Sequence, residues 1–136
     1  MNYIYEATYL DTFKMGNSDL VLKVQQMHES IIKKDYESAG SYLADNVEFR
    51  LEDGSTIEGK ENCMKFMVEA YSAVEIEDYN VAVNLAVTGN NGDEWVLLWD
   101  NGSVVTEDGT SSSFNWMESF QFENGKIIMM NQFSKP

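Results

Sequence analysis

Cysteine, proline and histidine each occur once in this chain, and basic side chains are few. The lone Cys63 excludes an internal disulfide framework. With only His28 to join it, a zinc site built from histidines or thiolates is excluded too, and no metal or cofactor is expected. Nine basic side chains stand against 23 acidic ones, a net charge of −14. Such a balance repels polyanions, so neither nucleic acid nor an anionic membrane surface is an expected partner. No apolar run approaches the ~20 residues that a membrane span needs. Met1 to Glu6 lacks the basic-then-apolar order of a secretory signal, which makes a cytoplasmic location the expectation. There is no Gly-rich phosphate loop, no nucleophile elbow and no metal-binding histidine pair.

What is present is a well-supplied core. A hydrophobic fraction of 43% with 12% aromatics argues against disorder, and a chain of this length buries roughly 70% of its unfolded surface as one domain. The clearest pattern lies in the last third. Phe114, Trp116, Glu118, Phe120 and Phe122 alternate with Asn115, Met117, Ser119 and Gln121, the period-two signature of a strand with one buried face. Asn124-Gly125 follows, a dipeptide suited to a tight hairpin because both central residues need positive φ. The return strand, Lys126 to Phe133, is predicted to carry Ile127, Met129, Asn131 and Phe133 on one face.

Upstream, residues 1–17 hold Tyr3, Tyr5, Tyr9 and Phe13 without a clean period and read as an arm or short helix; residues 18–136 read as one domain. Ser18 is the predicted N-cap of a first helix whose apolar stripe runs Val21, Val24, Met27, His28, Ile31 and Ile32. Asp35 caps a second helix through about Ala44, with Tyr36, Ala39, Tyr42 and Leu43 on its inner face. Val47, Phe49 and Leu51 form a first strand that ends at Asp53-Gly54, and a short extended piece leads through Gly59 into a third helix. From Asp78 the period is two to the end. Tyr79, Val81, Val83, Leu85 and Val87 are predicted to share a face, as are Trp95, Leu97 and Trp99 on the next strand. That strand is apolar on both faces, so one side would meet the helices and the other a second subunit. Glu75, Glu77 and Asp78 read as a solvated loop, and Asp100-Asn101-Gly102 and Asp108-Gly109 as turns. Three helices with a curved antiparallel sheet make an α+β domain.

Particular segments carry a resemblance. Lys34-Asp35-Tyr36-Glu37 lies between the first two helices, and Leu43-Ala44-Asp45-Asn46-Val47-Glu48-Phe49 enters the first strand. Gly54 with Ile57-Glu58-Gly59-Lys60 precedes the third helix, and Phe120-Gln121-Phe122-Glu123-Asn124-Gly125-Lys126-Ile127 spans the final turn. In order and spacing, over residues 18–134, these resemble the nuclear transport factor 2-like superfamily, in its SnoaL-like and ketosteroid isomerase-like branch. The resemblance implies a cone-shaped barrel of curved antiparallel sheet wrapped around three helices. It also implies a deep apolar pocket and a homodimer packed through the sheet face. It does not set a function, because this fold hosts several. Carried over residue by residue, the isomerase base position falls at Leu51, which cannot take a proton, and the tyrosine position at Met27, beside His28. Only the protonated acid has a counterpart, Glu118, so the family's steroid isomerisation is not expected.

Glu118 is the residue whose polarity does not suit its row. Flanked by Trp116 and Phe120, it is costly to ionise unless paired, which suits a general acid or a hydrogen-bond donor to an oxyanion. His28 on the helical stripe is the candidate catalytic partner, and the resemblance is what brings the two together. Met27, Tyr42, Phe49, Leu51, Phe66, Tyr71, Trp99, Trp116 and Phe133 are the expected pocket lining. Three functions stay open. One is a binding domain for a small apolar or amphipathic molecule. Another is a cofactor-independent isomerase, cyclase or dehydratase using Glu118 and His28. The last is a dimeric interaction module whose core is filled.

Overall fold

The chain runs β1 (Lys14–Met15), α1 (Ser18–Ile32), α2 (Tyr36–Gly40), β2 (Leu43–Arg50), β3 (Thr56–Glu58), α3 (Lys60–Tyr71), β4 (Val74–Thr88), β5 (Glu94–Thr106), β6 (Ser111–Glu123) and β7 (Lys126–Lys135). The structure is a computed structural model and describes residues 2–8 and 13–136. Residues 9–12, with Tyr9 of the arm, lie outside the described residues, as does Met1. The described residues of the arm form no helix; Lys14 and Met15 form β1, which pairs with the end of β4 through Lys14↔Thr88 and Met15↔Val87. Among the described residues no helix is long and apolar enough to cross a membrane.

The helices start where side chains can cap them. Asn17, not Ser18, is the N-cap of α1; its side-chain oxygen accepts from the Asp19 amide at 2.9 Å. Asp35 caps α2 as expected, accepting from the Ser38 amide at 3.1 Å. α2 stops at Gly40, short of Ala44, and β2 begins at Leu43. At Gly40 a Cβ would lie 2.6 Å from the end of the Met64 side chain of α3, so a larger residue there would require that methionine to move. Leu20, Val24 and Met27 of α1 and Cys63 and Met67 of α3 pack on Val96, Leu98, Phe120, Phe122, Ile127 and Met130 of the sheet. Each such side chain contributes roughly 1.5–3 kcal/mol by leaving water.

The seven strands lie in the order β1-β4-β5-β6-β7-β2-β3, antiparallel except for β2 beside β7. The sheet curves around the helices as a cone without closing, and among the described residues β1 and β3 are its edge strands. The Asn124-Gly125 turn forms with φ of 52° and 74°, the positive pair that its sequence predicts. β-Bulges correct the predicted faces. Between Glu77 and Val83, β4 carries extra residues relative to β5, with Asp78 at φ 52°. Tyr79 and Val81 therefore face the helices, while Val83, Leu85 and Val87 sit opposite Trp99, Leu97 and Trp95 on the outer face. In β7 Ile128 is the extra residue, since Phe122 pairs with Ile127 and Gln121 with Met129. Ile127 thus points inward, whereas Phe133 lies opposite Met117 on the outside. A bulge swaps faces without changing composition, which hides it from a periodicity argument.

Two segments read as loops are strand. Glu75, Glu77 and Asp78 belong to β4, and Glu75 pairs with Lys34 at 3.0 Å. Asp100-Asn101-Gly102 lies within β5, and at Gly102 a Cβ would come within 3.2 Å of the Glu77 carbonyl oxygen. Asp108-Gly109 is the turn expected, with Gly109 at φ 85°.

Lys34, at φ 62° between α1 and α2, reaches the far end of α3. Its Nζ donates to the carbonyls of Tyr71 at 3.3 Å and Ser72 at 3.0 Å, at the open end of α3, and to that of Val74 at 2.7 Å, where β4 begins. Lys34→Met keeps the aliphatic stem and the backbone angle but removes these bonds. It is expected to cost about 1–3 kcal/mol of unfolding free energy, measured by urea denaturation; an unchanged midpoint would show that water replaces the ammonium without loss.

Candidate functional site

Glu118 points inward from β6 because the alternation that buries Phe120 and Phe122 carries it to the same face. Across the ladder Leu98 stands opposite Glu118 and Asp100 opposite Trp116, so the two carboxylates are diagonal neighbours on one face. Both are buried, at 8% exposure for Glu118 and 3% for Asp100. Helix α1 crosses above them and presents His28 one helical turn after Val24. The His28 Nδ1–H donates to the Val24 carbonyl at 2.8 Å, which leaves Nε2 facing Glu118 Oε1 at 3.5 Å. The imidazole stacks on Tyr79 at 6.1 Å and meets the edge of Phe120 at 5.8 Å. Tyr79 in turn donates its hydroxyl to Asp100 Oδ2 at 2.5 Å.

These groups set each other's proton affinity. Burial works to lower the His28 pKa, but the Glu118 charge, the hydrogen bond to it and the Val24 carbonyl outweigh that, and the pKa rises to about 9. Asp100 is pushed up to about 6 by burial first and the Glu118 charge second, against the Tyr79 hydrogen bond and the His28 charge. Burial and the bond to Asp100 hold the Tyr79 hydroxyl in its protonated form. Tyr71 is held the same way, chiefly by burial, with a hydrogen bond to Gln132 opposing.

The cluster faces a mostly apolar cavity of about 60 Å³, above the roughly 10–15 Å³ that one water needs. Met27, Phe49, Phe66, Tyr71 and Trp116, all expected as lining, border it together with His28 and Glu118. Four expected lining residues lie elsewhere. Trp99 is 45% exposed and Phe133 58% exposed on the outer face; β5 turns Val96, Leu98 and Asp100 inward instead of its tryptophans, and the β7 bulge turns Phe133 out. Tyr42 packs at the edge of the core and donates its hydroxyl to Gln26 Oε1 at 3.3 Å. Leu51 borders an outer recess that shares Phe66, Tyr71, Trp116 and Gln132 with the inner cavity.

Asp100, Tyr79 and Gln132 are the site residues that sequence reasoning missed. For Asp100 the signal was available: it alternates with Val96 and Leu98 as Glu118 alternates with Phe120 and Phe122. Reading Asp-Asn-Gly as a turn concealed it. Ligand-capable atoms of His28, Asp100 and Glu118 lie within 4.8 Å of one another, close enough to hold a divalent cation. The sequence expectation of no metal counted only histidine and thiolate ligands and left these carboxylates out.

The raised pKa of Asp100 gives a stability prediction. From 3.8 to about 6 the folded state binds the proton more tightly than the unfolded chain, so this contribution is present at low pH and is lost as pH rises through about 6. Asp100→Asn should therefore stabilise the fold at pH values above that window by on the order of 1 kcal/mol, with no gain well below it. Thermal melts across pH read this directly, and a difference that does not vary with pH would contradict it.

In comparisons with known proteins, the SnoaL-like domain profile matches residues 24–130. No curated protein sequence matches the chain. An LEH-like epoxide hydrolase of M. tuberculosis is similar in structure, with TM-score 0.71 and 14% identity over 87% of this chain and 84% of that one. An NTF2-like protein of Burkholderia xenovorans is similar with TM-score 0.65 and 14% identity over 90% of this chain and 93% of that one. Identities this low carry the fold alone.

Proposed function

This chain belongs to the SnoaL-like domain family, and from that premise we propose that it is a cofactor-independent acid–base enzyme acting on a small, largely apolar molecule. The observation that carries this reading is the buried His28–Glu118 pair, 3.5 Å apart at the wall of an apolar cavity. A binding domain without chemistry needs only the cavity. Enclosing an imidazole and two carboxylates among aromatic rings costs several kcal/mol per ion unless they pair well, and perturbed groups of this kind concentrate at sites that use them. An interaction module with a filled core would leave the cavity without a purpose.

The roles follow from the hydrogen bonds. Val24 fixes Nδ1 as a donor, so Nε2 is the atom of His28 that exchanges a proton. Protonated at neutral pH, it donates to a carbonyl oxygen of the substrate as negative charge develops there. Glu118, on the same wall, takes the proton from the adjacent carbon. Proton transfer next to a carbonyl is the common step of an isomerase, a cyclase and a dehydratase, and this reading covers all three.

Deuterium uptake from heavy water into pooled small ketones and aldehydes, followed by NMR, tests this without knowledge of the product. Glu118→Gln is expected to slow exchange by at least about 100-fold while leaving the circular dichroism unchanged. Exchange in the unaltered protein should fall as pH rises through about 9, where His28 loses the proton it donates, and should survive a chelator. Exchange that persists in Glu118→Gln would rule the mechanism out.

We also propose that the chain pairs with a second copy through the outer face of its sheet. Val83, Trp99, Met117 and Phe133 are successive cross-strand partners there, and Trp99, Met117 and Phe133 are 45%, 50% and 58% exposed. An apolar row this continuous favours burial against a like surface. Light scattering should give a dimer mass, and Met117→Lys should give a monomer mass; a monomer for the unaltered protein would overturn the proposal.

A further inference from the structure

Asp100 is the member of the cluster to which proton transfer gives no task. It is 3% exposed and borders the cavity; Tyr79 occupies Oδ2, and Oδ1 has no hydrogen-bond partner among the described residues. A buried carboxylate oxygen without a donor is costly, and a ligand that brings one removes the cost. The surroundings specify what kind of donor. Among the described residues no lysine or arginine borders the cavity, which sets two carboxylates against a single imidazole. The acidic groups of this wall outnumber the basic one. Phe49, Phe66, Trp116 and Phe120 add aromatic rings, whose faces attract cations. Of two adjoining recesses, one contributes Glu52 and Asp53, and the other Lys33, which is paired with Glu29 at 2.7 Å; the whole chain, at −14, draws cations toward it.

We propose that the ligand of this cavity is a small molecule with an apolar body and a protonated amine, whose ammonium donates to Asp100 Oδ1. This assignment rests on the acid–base reading of the same site only in taking the cavity as the substrate's place. Tyr79 is then a positioning residue: its hydroxyl holds Oδ2 and leaves Oδ1 as the oxygen without a donor among the described residues. A hydrogen bond between two ions is roughly twice as strong as one between neutral groups, so a neutral alcohol of the same shape binds less well. A carboxylate of that shape is repelled.

Benzylamine, benzyl alcohol and benzoate share one ring and differ in charge. Calorimetric titration at neutral pH should show benzylammonium binding at least about tenfold tighter than the alcohol, with no heat from benzoate. Asp100→Asn should erase the preference while retaining the alcohol. Four outcomes overturn the proposal: the alcohol binding as well as the amine, benzoate binding best, none of the three binding, or the amine preference surviving Asp100→Asn as general attraction to an acidic surface would. Should Asp100→Asn fail to fold, the series on the unaltered protein still decides the charge preference. The Glu118→Gln exchange experiment is read separately. An amine preference with unimpaired exchange refutes the mechanism and leaves the ligand class standing, whereas lost exchange with an alcohol preference does the reverse.

Discussion

A carboxylate set among aromatic side chains must be given a partner, and that constraint organises the centre of this molecule. Glu118 is carried inward by the strand that buries Phe120 and Phe122, and the nearest cation available to it is the single histidine on α1. The meeting depends on α1 lying across the concave side of the sheet, which the packing of Leu20, Val24 and Met27 secures. The Glu118 charge and the hydrogen bonds to His28 outweigh the burial that would otherwise neutralise the imidazole. What the pairing achieves is a charged group held in an apolar enclosure in a chosen proton state.

The sheet's irregularities serve that enclosure. The extra residues of β4 let Tyr79 and Val81 both face the helices, and so bring a phenol beneath the imidazole and against Asp100. Gly102 lets β4 and β5 approach where a side chain would crowd the Glu77 carbonyl. The extra residue in β7 sends Phe133 outward, where it extends the apolar row of Trp99 and Met117. One device therefore shapes both the interior site and the outer face.

Much of this was legible beforehand, and specific elements show why. The order of helices and strands from α1 to β7 follows from local spacing, the Asn124-Gly125 turn from the need for positive φ, and the inward position of Glu118 from unbroken alternation in β6. The pocket lining was legible only in part. Met27, Phe49, Phe66, Tyr71 and Trp116 sit on elements whose inner face is unambiguous. Trp99 and Phe133 sit on strands where both faces are apolar or a bulge intervenes, and the larger aromatic is then no guide to which side is covered.

The sequence by itself determined most of the elements, the two faces of the unbroken β6, the acidic character and the presence of a misplaced carboxylate. Each of these depends on neighbours within a turn or two of chain. Only the tertiary structure decided which face is inside, where the strands slip by a residue, and that His28, Tyr79, Asp100 and Glu118 converge. Those four residues come from α1, β4, β5 and β6, and their distances are set by strand register and helix packing, which no local pattern encodes.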